Sequence, residues 1–155
     1  MGYNALRKGR NSEPNRAYCI TTVTKNRELF FNDLYVARIV INIMRNLHEE
    51  NYVNSLSWVL MPDHLHWLFQ LGENRSNEFE PTLAVVMKRL KAASACAIND
   101  YLQRTGSIWQ KAYYDRGVRD GEDVQKIARY IVANPLRAGL VQHVAEYPHW
   151  DASWL

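Results

Sequence analysis

Cysteine is scarce in this chain: the only two, Cys19 and Cys96, stand alone in a strand-like run and an alanine-rich helical run. Without a Cys-x-x-Cys pair there is neither a disulfide framework nor a thiolate zinc site, and both thiols are expected to be buried and free. Long hydrophobic runs are lacking too. No segment has the length of a signal-peptide core or a membrane span, so a cytoplasmic protein with no membrane partner is expected. Internal repeats, low-complexity linkers and composition breaks are also missing. The 155 residues, 47% hydrophobic, suit a single domain over 1–155, with a basic N-terminal arm at 1–16 and a C-terminal tail at 141–155.

The net charge of +3 is small, but it is unevenly spread. Arg7, Lys8, Arg10 and Arg16 face only Glu13 in the first sixteen residues, and Lys88, Arg89 and Lys91 crowd one helical turn. Clustered cations near aromatics suit a polyanion such as nucleic acid, because neutralising phosphates releases counterions. The same clusters equally describe a solvated arm and a solvated helix face.

The patterning predicts alternating element types. Ala17 to Thr24 is β-branched and aromatic and reads as a strand. From Asp33, a plausible N-cap, to Glu50 the residues Val36, Val40, Ile43, Met44 and Leu47 fall at helical spacing. Leu56 to Met61 and His64 to Leu71 are strand-like runs joined by Pro62-Asp63, a tight hairpin. Pro81 opens a helix to about Gln103, Ile108 to Arg119 fits a fourth strand, and Gly121-Glu122-Asp123 starts a last helix that stops at Asn134-Pro135. This order predicts an α+β fold: a ferredoxin-like or RRM-like antiparallel sheet of four to five strands covered by helices on one face, with the other face free for nucleic acid.

The second hairpin strand carries the most informative pair. Side chains alternate along a strand, so His64 and His66 share one face while Leu65, Trp67, Phe69 and Leu71 share the other. Two neutral imidazoles on a rigid strand can ligate one ion, although such histidines also serve as polar residues on a half-buried sheet. On the last helix Tyr130 and Asn134 lie one turn apart on one face. A tyrosine can be a nucleophile and an asparagine carbonyl a hard oxygen ligand. If that helix packs beside the hairpin, His64, His66 and Asn134 can hold one divalent cation next to Tyr130; the mixed ligand set suits Mg²⁺ or Mn²⁺ and also permits zinc. In the plainer alternative Tyr130 packs as an amphipathic residue and Asn134 merely ends the helix. Tyr113 and Tyr114 are rival nucleophiles without a ligand at helical spacing. His48, His143 and His149 have no partners in sequence and are expected at the surface.

The segments Leu6-Arg7-Lys8-Gly9-Arg10, Tyr18 to Thr24, Met61-Pro62-Asp63-His64-Leu65-His66, Ile108-Trp109-Gln110, Tyr113-Tyr114-Asp115 and Tyr130-Ile131-Val132-Ala133-Asn134-Pro135 occur in this order across nearly the whole chain. Together they resemble the REP-associated tyrosine transposases, small bacterial members of the HUH superfamily of single-strand transposases. The resemblance implies that His64 and His66 are the paired metal ligands, Asn134 the third, and Tyr130 the nucleophile on the last long helix. It implies cleavage and rejoining of single-stranded DNA beside short palindromic hairpins, through a 5′-phosphotyrosine link and a free 3′-hydroxyl. The resemblance implies no nucleotide cofactor, a substrate in the DNA of the bacterial nucleoid, and either a monomer or a homodimer.

Against that background Arg7, Lys8 and Arg10 are candidates to grip a hairpin stem, and Lys88, Arg89 and Lys91 to track phosphates near the cut. Trp109 either stacks on an unpaired base or anchors the core. Asp63 either orients a histidine or is an ordinary turn residue. Two other function classes remain: a non-catalytic DNA or RNA hairpin-binding module of the same fold, and a metal-dependent hydrolase that uses water, with Tyr130 a bystander.

Overall fold

The computed structural model describes residues 15–73 and 80–153, so Arg7, Lys8 and Arg10 lie outside the described residues. Alternation in the first run builds β1 (Ala17–Val23), with Tyr18, Ile20 and Thr22 buried on one face and Cys19 and Thr21 on the other. The helix α1 (Leu34–Glu49) begins where Asp33 Oδ1 accepts the backbone N–H groups of Tyr35 and Val36 at 2.9 and 3.2 Å. These are two of the donors that a first turn leaves without intrahelical partners.

The hairpin of β2 (Val53–Met61) and β3 (His64–Leu71) turns at Pro62-Asp63, pairing Met61 with His64 and Val59 with His66. A register shift between Ser55 and Ser57 marks a bulge in β2. The next helix, α2 (Leu83–Leu102), starts after Pro81, because Thr82 caps it by accepting from the Val85 N–H at 3.2 Å. The expected fourth strand is shortened to β4 (Tyr114–Gly117). The Lys91 ammonium donates to the carbonyls of Gln110, Lys111 and Ala112 at 2.8, 3.2 and 3.3 Å, which turns this stretch away from ladder pairing.

The last helix is also corrected. The helix α3 (Val124–Val132), capped by Asp123 on the Lys126 N–H, stops before Asn134, and one further turn, α4 (Asn134–Arg137), follows. Proline disfavours helical backbone in the residue before it, but it suits the first position of a new helical segment, where no N–H is needed. The segment from 141, expected as a tail, returns to the sheet as β5 (Trp150–Ala152) on the outer edge of β2.

The strand order is β4-β1-β3-β2-β5, antiparallel throughout, so the first four strands keep the ferredoxin-like arrangement and β5 extends it. One face carries Tyr18, Ile20, Leu65, Trp67 and Phe69 against Val36, Val40 and Met44 of α1 and Val86, Met87 and Leu90 of α2. Burying each such side chain contributes roughly 1.5–3 kcal/mol. The expectation of helices on one face only is overturned. Ala17, Val59, Met61, Leu68 and Val118 form an apolar patch on the opposite face, and α3 covers it with Ala128 and Ile131. An amphipathic helix has to bury its stripe, and this patch is the complementary surface.

Two expectations about single residues also change. Cys96 is exposed rather than buried. His149 is buried, with 5% exposure; its ring stands edge-on to Tyr147 at 5.8 Å, and its Nδ1 has no hydrogen-bond partner.

Candidate active site

The face covered by α3 is the face of the two histidines, because Leu65 and Trp67, which alternate with them, point into the α1–α2 core. The imidazoles stand edge to face, centroids 4.8 Å apart and planes at 89°. Each is anchored through Nδ1. The Asp63 carboxylate lies 2.7 Å from His64 Nδ1, and the hydroxyl of Thr21, directly across from His66 on β1, lies 2.9 Å from His66 Nδ1. With the proton on Nδ1, each ring presents the Nε2 lone pair as a ligand.

Electrostatics favour the neutral form of His66. Burial, followed by the His64 and Arg137 charges, holds His66 down at about 4, so it is neutral at physiological pH. Partial burial alone would raise Asp63, but the hydrogen bond with His64 and the Arg27 guanidinium at 3.3 Å outweigh it and hold the carboxyl below its ordinary range. The turn aspartate is therefore an orienting partner of His64 in a charged network with Arg27.

Helix α3 is tied to this face by a buried hydrogen bond: the Ser57 hydroxyl on β2 donates to the Ala128 carbonyl at 3.1 Å. Two residues later Tyr130 points outward, 65% exposed. Asn134 opens α4 and donates its amide to the Ile131 carbonyl at 2.8 Å, which leaves Oδ1 as the atom with ligand character. Among the described residues no group of three His, Cys, Asp or Glu side chains could hold a metal. Two Nε2 donors and one hard oxygen are a ligand chemistry that suits a divalent cation.

Other expected residues are placed elsewhere. Trp109 is 6% exposed; its indole donates to the Ser94 hydroxyl at 2.9 Å and packs 5.3 Å from the Phe31 ring, so it is a core anchor with no face for a base. Lys88, Arg89 and Lys91 ride on α2, a helix that packs on the face of the sheet opposite the histidines. Arg89 lies over the Tyr52 ring at 4.6 Å, and Lys91 holds the 110–112 carbonyls. Charge spacing along a helix does not say which side of a sheet the helix covers. Of the rival tyrosines, Tyr113 is buried, whereas exposed Tyr114 pairs with Thr21 and shares the histidine face one strand further out.

Sequence reasoning missed Thr21, Ser57, Arg27 and Arg137. Thr21 and Ser57 become visible only through strand register and helix docking. Arg137 follows Tyr130 by seven residues, a same-face signal obscured by the helix break expected at Asn134.

The chain matches the family described as Transposase IS200 like over residues 13–134. A Haemophilus influenzae protein provisionally named a REP-associated tyrosine transposase is 30% identical over 118 residues, covering 70% of this chain and 66% of that protein. The Escherichia coli K12 REP-associated tyrosine transposase is 26% identical over 92 residues, covering 59% and 50%. The chain thus spans between 50% and 66% of the length of these curated relatives. Its fold is shared with the structure of a REP-associated tyrosine transposase bound to a REP hairpin, at a TM-score of 0.73 and 18% identity over 91% of this chain and 79% of that one. Among the described residues no helix is long and apolar enough to cross a membrane. With the match extending from residue 13 through both histidines and Tyr130 to Asn134, the chain belongs to the IS200-like transposase family.

Proposed function

We propose that this chain is a metal-dependent transposase and endonuclease for single-stranded DNA, acting in the cytoplasm. In this reading it cuts and rejoins strands beside short palindromic hairpins through a covalent link between Tyr130 and a 5′-phosphate. The names of the two relatives and the hairpin-bound structure that shares this fold support the substrate class. The observation that carries the mechanism is the docking of α3 on the histidine face through Ser57 and Ala128, with the exposed Tyr130 just beyond.

The reaction follows from these groups. The Tyr130 oxygen bonds to phosphorus and loses its proton to solvent. The bond from phosphorus to the 3′ oxygen breaks, and that oxygen keeps the electron pair and takes a proton from water. Bond energy is retained in the phosphotyrosine, so the reverse attack by a 3′-hydroxyl rejoins strands without a nucleotide cofactor. His64 Nε2, His66 Nε2 and Asn134 Oδ1 would hold the cation, Mg²⁺ or Mn²⁺, which polarises the phosphate and stabilises charge that develops in the transition state. Asp63 and Thr21 keep the imidazoles oriented for that task.

The test uses hairpin oligonucleotides copied from inverted repeats flanking the gene, labelled at the 3′ end and incubated with Mg²⁺ or Mn²⁺. Wild-type protein and Tyr114→Phe form an adduct that survives denaturing electrophoresis; Tyr130→Phe forms none yet still binds the hairpin. An adduct lost in Tyr114→Phe and kept in Tyr130→Phe moves the nucleophile to β4. Cutting without any adduct assigns the attack to water and overturns the reading.

A further inference from the structure

Seven residues separate Tyr130 from Arg137, across the junction of α3 and α4 at Ala133, and the two side chains meet. The Arg137 Cζ lies over the Tyr130 ring, 3.6 Å from its centroid. At that distance the guanidinium rests on the ring face, an arrangement that arginine favours because its flat cation is weakly hydrated. Arg137 is therefore a cation in direct contact with the proposed nucleophile.

Its remaining chemistry is open to an anion. Arg137 is exposed, and among the described residues no carboxylate lies within ion-pair distance of it. A guanidinium stacked by its face keeps its in-plane N–H donors for oxygen acceptors, and their fork matches two oxygens of a phosphate.

We propose that Arg137 positions Tyr130 and anchors the scissile phosphate, one face of its guanidinium on the phenol ring and its edge on the non-bridging oxygens. This rests on the reaction proposed above. The stack fixes the rotamer of an otherwise solvent-exposed nucleophile, and the fork brings phosphorus to the phenol oxygen. As negative charge grows on the phosphate oxygens in the transition state, the attraction to Arg137 grows with it, so the benefit falls on the rate rather than on hairpin binding.

The experiment compares wild type, Arg137→Lys and Arg137→Gln for adduct formation on the flanking-repeat hairpins at saturating DNA. Thermal midpoint and hairpin dissociation constant are measured alongside. Arg137→Gln is expected to slow adduct formation by about 10²-fold, with midpoint and dissociation constant unchanged, and Arg137→Lys to recover part of the rate because charge returns without the fork. A second measurement needs no DNA: the Arg137 side-chain N–H resonance is shifted upfield by the Tyr130 ring current in wild type, and the shift disappears in Tyr130→Leu. Adduct formation at the wild-type rate in Arg137→Gln, a rate lost only in step with the thermal midpoint, or no ring-current shift overturns the inference while the reaction stands. Wild-type protein that forms no adduct removes the reaction itself, and the role of Arg137 with it.

Discussion

The hydroxyl of Ser57, buried in the first strand of the hairpin, donates to the carbonyl of Ala128 two residues before Tyr130. This bond crosses from the sheet to the helix that bears the nucleophile, and it lies on the face shared with His64 and His66. It joins two halves of a site that are more than sixty residues apart in the chain.

Ser57→Ala leaves the Ala128 carbonyl facing an apolar wall. Urea denaturation should show a loss of about 1–2 kcal/mol, the cost of an unsatisfied buried polar group. Adduct formation should slow as well, by up to about 10²-fold, since a misplaced nucleophile loses its in-line approach. Unchanged stability would mean that the hydroxyl does not hold the helix.

Thr21→Val keeps the volume of the side chain while removing the partner of His66 Nδ1. Calorimetric titration with Mn²⁺ should show about 10- to 100-fold weaker binding, the usual consequence of losing a group that orients a ligating histidine. Asp63→Asn should act in the same direction through His64. Removal of an imidazole itself, in His64→Ala or His66→Ala, should abolish both metal binding and adduct.

The depressed His66 sets the sign of a pH effect. Folding holds His66 at about 4 against an ordinary value of 6.5, so the unfolded chain binds a proton that the folded chain refuses. Its contribution is complete above pH 6.5 and is lost as pH falls toward 4. Unfolding free energy measured across that range should fall more steeply in wild type than in His66→Gln. His149, lowered by burial and then by Arg38, adds a slope of the same sign in both proteins. Equal slopes in the two proteins would refute the role of His66.

Trp109 provides a control away from the site. Trp109→Ala should cost about 3–5 kcal/mol, because it opens a core cavity and strips Ser94 of its indole partner. Single-stranded DNA affinity per folded molecule should not change, whereas a stacking role would make affinity fall while stability held.

Much of the local structure was legible beforehand because it rests on short-range rules. The period-two alternation put His64 and His66 on one face, Asp33 announced the start of its helix, and Pro62-Asp63 announced the turn. Where local pattern competed with distant partners, the distant partner won. Lys91 pulled the 110–112 carbonyls out of a strand, and the outer edge of β2 paired with β5 from a segment that reads as a tail. Buried His149 and exposed Cys96 were misjudged for the same reason: burial depends on what packs on a residue.

The sequence by itself determined the chemical inventory, namely two imidazoles on one strand face and a tyrosine and an amide four residues apart, because strand alternation is a property of the backbone alone. Only the tertiary structure decided that α3 crosses to the histidine face while α1 and α2 cover the other, that Thr21 and Asp63 hold the rings, and that Arg137 lies on Tyr130. Those relationships depend on register and on which apolar surfaces fit together. Both are set by contacts between segments remote in the chain, and no local period encodes them.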